Sequence, residues 1–596
     1  MSLLVIGTFL LHAAVVVSEL SDGRARSTSS QISLKQTLDY VIVGGGLAGL
    51  TVAARLAEDP NITVGVFEAG DFYENTSGNL SRVPGYGAQV STSGADWGLT
   101  TSPQAQLDGR SADYHIGKTV GGSTAVNLMA YHRSTKGAYN RWAALVGDDS
   151  YRFSNFLPWM RKAVNFTPAN TRVRAKNATV PKASPESYDS PGGPIDITFA
   201  NWANPVSSYA KAGWKDLGLS QLQDVTSGAL IGNQYVPMTE RATDQSRCSA
   251  RAFFDQAENS GRQNLYLFTK STAQRVNFDS RNRAVSVTVE TNQETFEIKA
   301  RKEVILAAGA LHTPQLLLLS GIGPQDTLNR FNISVVKNLP GVGQNLIDHP
   351  NFLVAYEAFA TTASSMLDPG FASSAITEYD KYHTGVLTHS MADHFAWGKL
   401  SKDEVSEQTV NELSELPQDW PHYMAVLSDL TWGPGQYAQG IVMLQAVTSR
   451  GSISIASSCI EDPPVLNVST LSTETDRDVA VASFKIIRQF FNTTSLRKIT
   501  GANVLPGIDA QATWSDAEIE TFLRQSMSPG NHGCCTAAMG KGSDPNTVVD
   551  THGRVTGTKG LRVVDASVMP FLPPGNPMGT LYGLAEKLAA DIKAGS

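Results

Sequence analysis

The stretch that most constrains this chain lies near its amino terminus, where Asp39-Tyr40-Val41-Ile42-Val43 runs directly into Gly44-Gly45-Gly46-Leu47-Ala48-Gly49. A short apolar run that ends in glycines predicts a buried strand and a tight turn. Leu50 to Ala57 follow with Val52, Ala53, Leu56 and Ala57 at helical spacing, and Val64-Gly65-Val66-Phe67 predicts a second strand ending at Glu68. In Gly44-x-Gly46-x-x-Gly49 the first glycine makes the turn, the second lets the backbone approach a pyrophosphate, and the third lets the helix pack close on the strand. The N–H groups of Leu47 and Ala48 then stand at a helix start, where unpaired donors and the positive end of the dipole favour phosphate. Glu68, followed by Ala69, comes nineteen residues after Gly49 and is placed to accept hydrogen bonds from a ribose diol. Glycine-rich turns also occur in purely structural βαβ units. The ordered set of strand, turn, helix, strand and terminal acid is what points to a dinucleotide site, and it does not by itself choose between NAD and FAD.

At 596 residues the chain exceeds what one hydrophobic core usually supports, so two or more packed units are expected. With 41% hydrophobic and 17% charged residues, and no repeat or low-complexity tract, nothing argues for disorder. A net charge of -7 provides no basic field for a phosphate backbone, so nucleic acid is not an expected partner. The apolar stretch Leu3 to Val17, turning polar at Ser18-Glu19, reads as a secretory signal peptide over residues 1–18. It is shorter than the span of about 20 residues that a stable membrane anchor needs, and an anchor or a buried segment is the alternative reading. Eight N-x-S/T sequons, at Asn61, Asn75, Asn79, Asn165, Asn177, Asn332, Asn467 and Asn492, suit a glycosylated protein of the secretory pathway or extracellular space. The four cysteines, Cys248, Cys459, Cys534 and Cys535, are too few for a disulfide framework, and no His/Cys spacing suggests a metal.

Four further segments, Gly117 to Asn140, Gly309 to Gly323, Leu339 to His349 and Leu561 to Ile592, together resemble the glucose–methanol–choline (GMC) oxidoreductase family. Gly117 to Asn140 reads GKTVGGSTAVNLMAYHRSTKGAYN and is similar to the family's first signature, with Ser134 where a small Pro, Ala or Gly is usual. Gly309 to Gly323, GALHTPQLLLLSGIG, is similar to the second signature. A glycine-rich loop from Leu339 to His349 and a carboxy-terminal stretch from Leu561 to Ile592 complete the set, and the resemblance spans roughly residues 38 to 593. It implies FAD as cofactor, lying against Val120 and Asn127-Leu128-Met129-Ala130, with Asp565-Ala566 and Pro577-Met578 along the rest of it. Ala125-Val126-Asn127 lacks the histidine through which some relatives attach FAD covalently, and His132 is too far along to replace it, so non-covalent FAD is expected.

The resemblance also assigns the catalytic pair. The family keeps a histidine opening a His-x-x-x-Thr segment, matched by His532-Gly533-Cys534-Cys535-Thr536. The second position, histidine or asparagine in the family, is Asn576 in Leu572-Pro573-Pro574-Gly575-Asn576. An imidazole with an ordinary pKa of about 6.5 suits proton abstraction from an alcohol, while an amide orients oxygen but takes no proton. His532 is one of eleven histidines and is singled out by its motif. Cys534-Cys535 departs from the usual segment beside the base. The two thiols either line the substrate pocket in reduced form, the preferred reading, or close into a vicinal disulfide.

The expected fold is α/β: a Rossmann-like FAD-binding domain assembled from discontinuous segments, with a substrate domain of antiparallel sheet and helices. The boundaries read 38–350 for the FAD-binding part with inserted substrate segments, 351–445 for a substrate segment and 446–593 for the carboxy-terminal part. Trp397, Trp420, Tyr423, Trp432 and Tyr437 form either an access channel or, more simply, core. The expected activity is oxidation of a primary or benzylic alcohol of a polyketide-type aromatic metabolite, with O2 or another electron acceptor. A non-redox cyclase or dehydratase with structural FAD is the alternative, and a catalytically silent flavoprotein ranks last.

Overall fold

The computed structural model describes residues 37–430, 433–507, 513–542 and 544–596. The signal peptide expected at 1–18, and Trp432, lie outside the described residues.

The strand Leu38–Val43 is buried along its whole length, as its mostly apolar sequence favours in a strand covered on both faces, with the one carboxylate, Asp39, bonded to Thr63 and Arg301. It pairs in parallel with Val64–Phe67 on one side and with the end of Glu294–Leu306 on the other. Leu265–Phe268 and Leu561–Val563 extend the parallel sheet outward. The register aligns Val43 with Phe67 and Leu306, Phe67 with Phe268, and Leu306 with Val563. Five carboxyl ends therefore finish along one edge, the edge where open α/β sheets bind ligands. The first half of Glu294–Leu306 instead runs antiparallel to Ala284–Thr291, which pairs with Ser271–Phe278.

The glycine turn leads into the helix Leu47–Leu56, which packs on the carboxy-terminal helix Met578–Ala594. Glu586, with its side chain fully buried, accepts from Arg55 at 2.6 Å and pairs with Lys162 at 2.9 Å. It thereby ties both helices to a third, Phe153–Lys162.

A second sheet has the order Thr500–Leu505, Asn351–Ala358, Tyr437–Leu444, Tyr423–Ser428, Ala392–Gly398, Gly232–Tyr235, all antiparallel. The helix Glu474–Phe491 covers it, with Tyr356 stacked on Phe491 at 4.2 Å. Phe395, Trp397, Met424 and Val426 form a separate apolar cluster with Met129 and Ala130. This places the second sheet over the first signature. The fold is thus the mixed α/β architecture expected, with the Rossmann-like sheet built from residues far apart in the chain.

Candidate active site

Along the carboxyl edge of the parallel sheet, Gly44 turns with φ +102°, and a side chain there would strike the Ala307 carbonyl at 2.4 Å. A Cβ on Gly49 would lie 2.0 Å from the Gly44 carbonyl oxygen, so helix and turn touch through their backbones. Gly46 differs: the only atom within 4 Å of a Cβ built there is Gly122 Cα at 3.8 Å, so its face is open. Gly46 caps the helix without a side-chain hydrogen bond, leaving the first N–H groups, at Leu47 and Ala48, free of a side-chain cap. Glu68 is buried, its carboxylate accepting from the Gly45 N–H at 2.7 Å and the Gly70 N–H at 2.8 Å. Burial pushes its pKa up to about 7 against those two bonds. Ala69 follows, partly exposed.

The first signature crosses this edge. Val120 is fully buried, and the Gly121 N–H donates to the Gly45 carbonyl at 2.8 Å. Asn127 lies 3.5 Å from the Met578 sulfur through Nδ2, and its Oδ1 accepts from the Met129 N–H and Arg247. Leu128 leads into Met129, which holds a left-handed φ of +63°, a conformation that surrounding structure must enforce in a side-chain-bearing residue. The Asp565 carboxylate is filled by the protein itself, accepting from Gly309 N–H, Thr313 hydroxyl, Ser567 N–H and Ser567 hydroxyl. Asp565 thus joins the Ala566 turn to the helix Gly309–Leu319. Pro577 and Met578 open the carboxy-terminal helix, again with no side-chain cap.

Next to this edge stands the predicted pair. His532 Nε2 lies 3.1 Å from Asn576 Nδ2 across 44 residues of sequence. Left-handed residues flank the base on both sides, Asn531 at φ +59° and Cys535 at φ +75°. Asp348 and Tyr114 hold this loop: Asp348 accepts the His532 N–H at 2.7 Å and the His349 N–H at 2.8 Å, and the Tyr114 hydroxyl accepts the Gly533 N–H at 2.8 Å. Desolvation lowers the His532 pKa to about 4, with the neighbouring charge of His132 acting in the same direction. The imidazole is therefore neutral at physiological pH.

Two further histidines complete the cluster. His132 Nε2 lies 2.8 Å from Asn576 Oδ1 and 3.1 Å from its backbone N–H. One nitrogen cannot donate to the oxygen and accept the N–H at once; with the proton on Nε2, the bond to Oδ1 turns the amide NH2 toward His532. The His132 ring packs edge-on against Trp397, and a Cβ on Gly575 would fall 2.1 Å from its Cε1. On the other side, His349 Nδ1 lies 3.2 Å from His532 Nδ1, the rings nearly perpendicular at 89°.

Sequence reasoning assigned no role to His349 or Asp348, although both end the glycine-rich loop quoted above; Asp-His closing that loop was the available signal. His132 was weighed only as a flavin attachment point, and its contact is with Asn576. Cys534 and Cys535 are free thiols, as the preferred reading has them, and both are fully buried in the main hydrophobic core. The Cys534 thiol is raised well above its usual range, chiefly by desolvation. Of the aromatic residues, Trp397 and Tyr423 are core and Trp420, though buried, borders a cavity. Among the described residues, no helix is long and apolar enough to cross a membrane and no side-chain group could hold a metal ion.

The family model described as GMC oxidoreductase matches residues 38–351 through its N-terminal part and 447–585 through its C-terminal part. Patulin synthase of Penicillium expansum is 40% identical over 593 residues, covering 96% of this chain and 94% of the relative. Versicolorin B synthase of Aspergillus parasiticus is 38% identical over 577 residues, covering 94% and 89%. Among solved structures, an FAD-dependent oxidoreductase from Chaetomium thermophilum superimposes with a TM-score of 0.84 at 29% identity, covering 94% of this chain and 99% of that one. A fungal aryl-alcohol oxidase gives a TM-score of 0.81 at 25% identity, with the same coverage.

Proposed function

The chain belongs to the GMC oxidoreductase family, and from that premise we propose that it oxidises a primary or benzylic alcohol of an aromatic, polyketide-type metabolite to the aldehyde, with His532 as base. It is an FAD enzyme of a kind found in fungal secondary-metabolite pathways. The observation that carries the finer reading is a neutral imidazole whose Nε2 meets the Asn576 amide at 3.1 Å, beside the first signature.

The residues present fit FAD. The open face of Gly46 and the uncapped helix start at Leu47 and Ala48 suit a pyrophosphate, and the buried Glu68 carboxylate suits a ribose diol. Val120, Asn127 to Ala130, Ala566, Pro577 and Met578 would hold the flavin end. Bound FAD supplies a hydride acceptor. His532 Nε2 takes the hydroxyl proton, and the Asn576 amide holds the alcohol oxygen where that proton faces the imidazole. O2 or another acceptor then takes the electrons.

A second reading, a non-redox cyclase or dehydratase, draws on the 38% identity to versicolorin B synthase, since the same His-Asn pair serves acid–base chemistry without oxidation. The test is anaerobic mixing of the holoenzyme with benzylic and polyketide alcohols while following visible flavin absorption. Bleaching supports alcohol oxidation; product formed without bleaching replaces it with the second reading.

Passage through the secretory pathway is part of the proposal. Asn61, Asn75, Asn79, Asn177, Asn332 and Asn492 are exposed sequon positions, and a glycosidase-induced drop in apparent mass of the protein from its native host is the expected outcome.

A further inference from the structure

His532 has two ring nitrogens, and abstraction of a proton uses only Nε2. Nδ1 lies 3.2 Å from Nδ1 of His349, a contact that requires one of the two nitrogens to carry hydrogen. If Nε2 of a neutral His532 is the free base, its single ring proton sits on Nδ1 and is donated to His349. A neutral His349 that accepts at Nδ1 must then carry its own proton on Nε2. That atom is buried and has no hydrogen-bond partner, on a residue 1% exposed. His349 lines a cavity of about 270 Å³, with Arg141, Glu412, Trp420, Arg450 and Phe571 among the other walls, and His532 is not in that wall. One carboxylate, Asp348, accepts both backbone N–H groups and so fixes the spacing of the two rings.

We propose that His349 is a proton relay, carrying the proton taken up by His532 away from the substrate side and into this cavity. The proposal rests on His532 being the base. In the step, the substrate O–H bond breaks and its proton bonds to His532 Nε2; the Nδ1 proton of His532 passes to His349 Nδ1; and the Nε2 proton of His349, closed off at rest, leaves when water from the cavity reaches the ring. One proton enters and one leaves, and no electrons move along the pair. The rings end in opposite tautomers. They are restored when the two-electron acceptor, dioxygen or another, is reduced and draws a proton from His532 Nε2 while one re-enters at His349 Nε2.

The energetics suit transfer without trapping. Both imidazoles are held neutral, His349 lowered well below its ordinary value by desolvation and by the nearby charges of His532 and His132. A cation on either ring is thus short-lived. The charged groups around the pair are Asp348 beside it and Arg141, Glu412, Glu415 and Arg450 around the cavity.

Two measurements test this. The first needs no substrate: 1H–15N correlation of histidine-labelled holoenzyme, with His349→Asn and His532→Ala giving the assignments, is expected to place the resting protons on His532 Nδ1 and His349 Nε2. The opposite pair of tautomers overturns the proposal. The second uses the alcohol that bleaches the flavin. His349→Asn keeps an acceptor for the His532 Nδ1 proton but cannot pass one on. It is expected to lower turnover at least tenfold with KM changed less than threefold, whereas a merely orienting role leaves turnover within twofold of wild type and overturns the relay. His349→Ala opens the cavity wall, and added imidazole is expected to restore turnover; no rescue counts against the relay. If His532→Ala itself retains flavin reduction, the base assignment has failed; if only His349→Asn retains full turnover, the relay alone has failed.

Discussion

A histidine serves as general base only when its surroundings settle which nitrogen is free and what charge it carries. Here Asn576 faces Nε2, His349 faces Nδ1, and burial holds the ring neutral. Replacing His532 with alanine is expected to lower kcat/KM for the alcohol by about 10² to 10⁴, as loss of a general base typically does. The sign of the pH dependence follows from the lowered pKa. Catalysis needs the neutral imidazole, so a value pulled down to about 4 extends activity into acid. The kcat/KM profile is expected to stay flat from neutral pH to about pH 5 and to fall about tenfold per unit below about pH 4. A midpoint near the ordinary histidine value would show that the base is not desolvated during turnover.

At the scale of elements, the glycines of the first turn do different work although the motif writes them alike. A methyl group on Gly49 meets a backbone carbonyl at 2.0 Å, whereas one on Gly46 meets only Gly122 Cα, at an ordinary contact distance of 3.8 Å. Gly49→Ala is therefore expected to yield little folded protein. Gly46→Ala is expected to fold with a circular dichroism spectrum like wild type but to retain at least about tenfold less FAD after gel filtration, because the methyl occupies the pyrophosphate approach. Between helices, Glu586 is the shared anion for Arg55 and Lys162. Of the three only Glu586 is fully buried, Arg55 keeps Glu58 at 3.1 Å and Lys162 reaches solvent, so Glu586→Gln is expected to cost about 1 to 2 kcal/mol in chemical denaturation, less than breaking a wholly buried pair. Its catalytic constants should change less than twofold, since the cluster lies among helices and not at the base.

At the scale of the molecule, the proposed cofactor site draws on three stretches, around residues 38–69, 117–130 and 565–578, held together by the parallel sheet and the carboxy-terminal helix. Bound FAD would bridge all three, and nothing in Ala125-Val126-Asn127 can attach it covalently, while His132 Nε2 is engaged with Asn576. Denaturation is expected to release free FAD, read by mass spectrometry of the filtrate, with flavin remaining on the chain as the contrary result. How much of this was legible beforehand divides along a physical line. Residues close in sequence announced themselves: strand, glycine turn, helix and acid from 39 to 68 are local features, set by chain spacing, sterics and the pleat, and they located the nucleotide edge. The signatures likewise identified the family, and motifs of fixed spacing nominated His532 and Asn576, which the fold brings within 3.1 Å of each other. What tertiary structure alone decided is which side chains meet across long separations: His132 with Asn576 over 444 residues, and His349 with His532 over 183. It also decided that Cys534 and Cys535 are wholly buried in the core. Such contacts depend on sheet register and loop packing between distant segments, which leave no periodicity in the chain, so the hydrogen-bonded row of His349, His532, Asn576 and His132 exists only once the fold has closed.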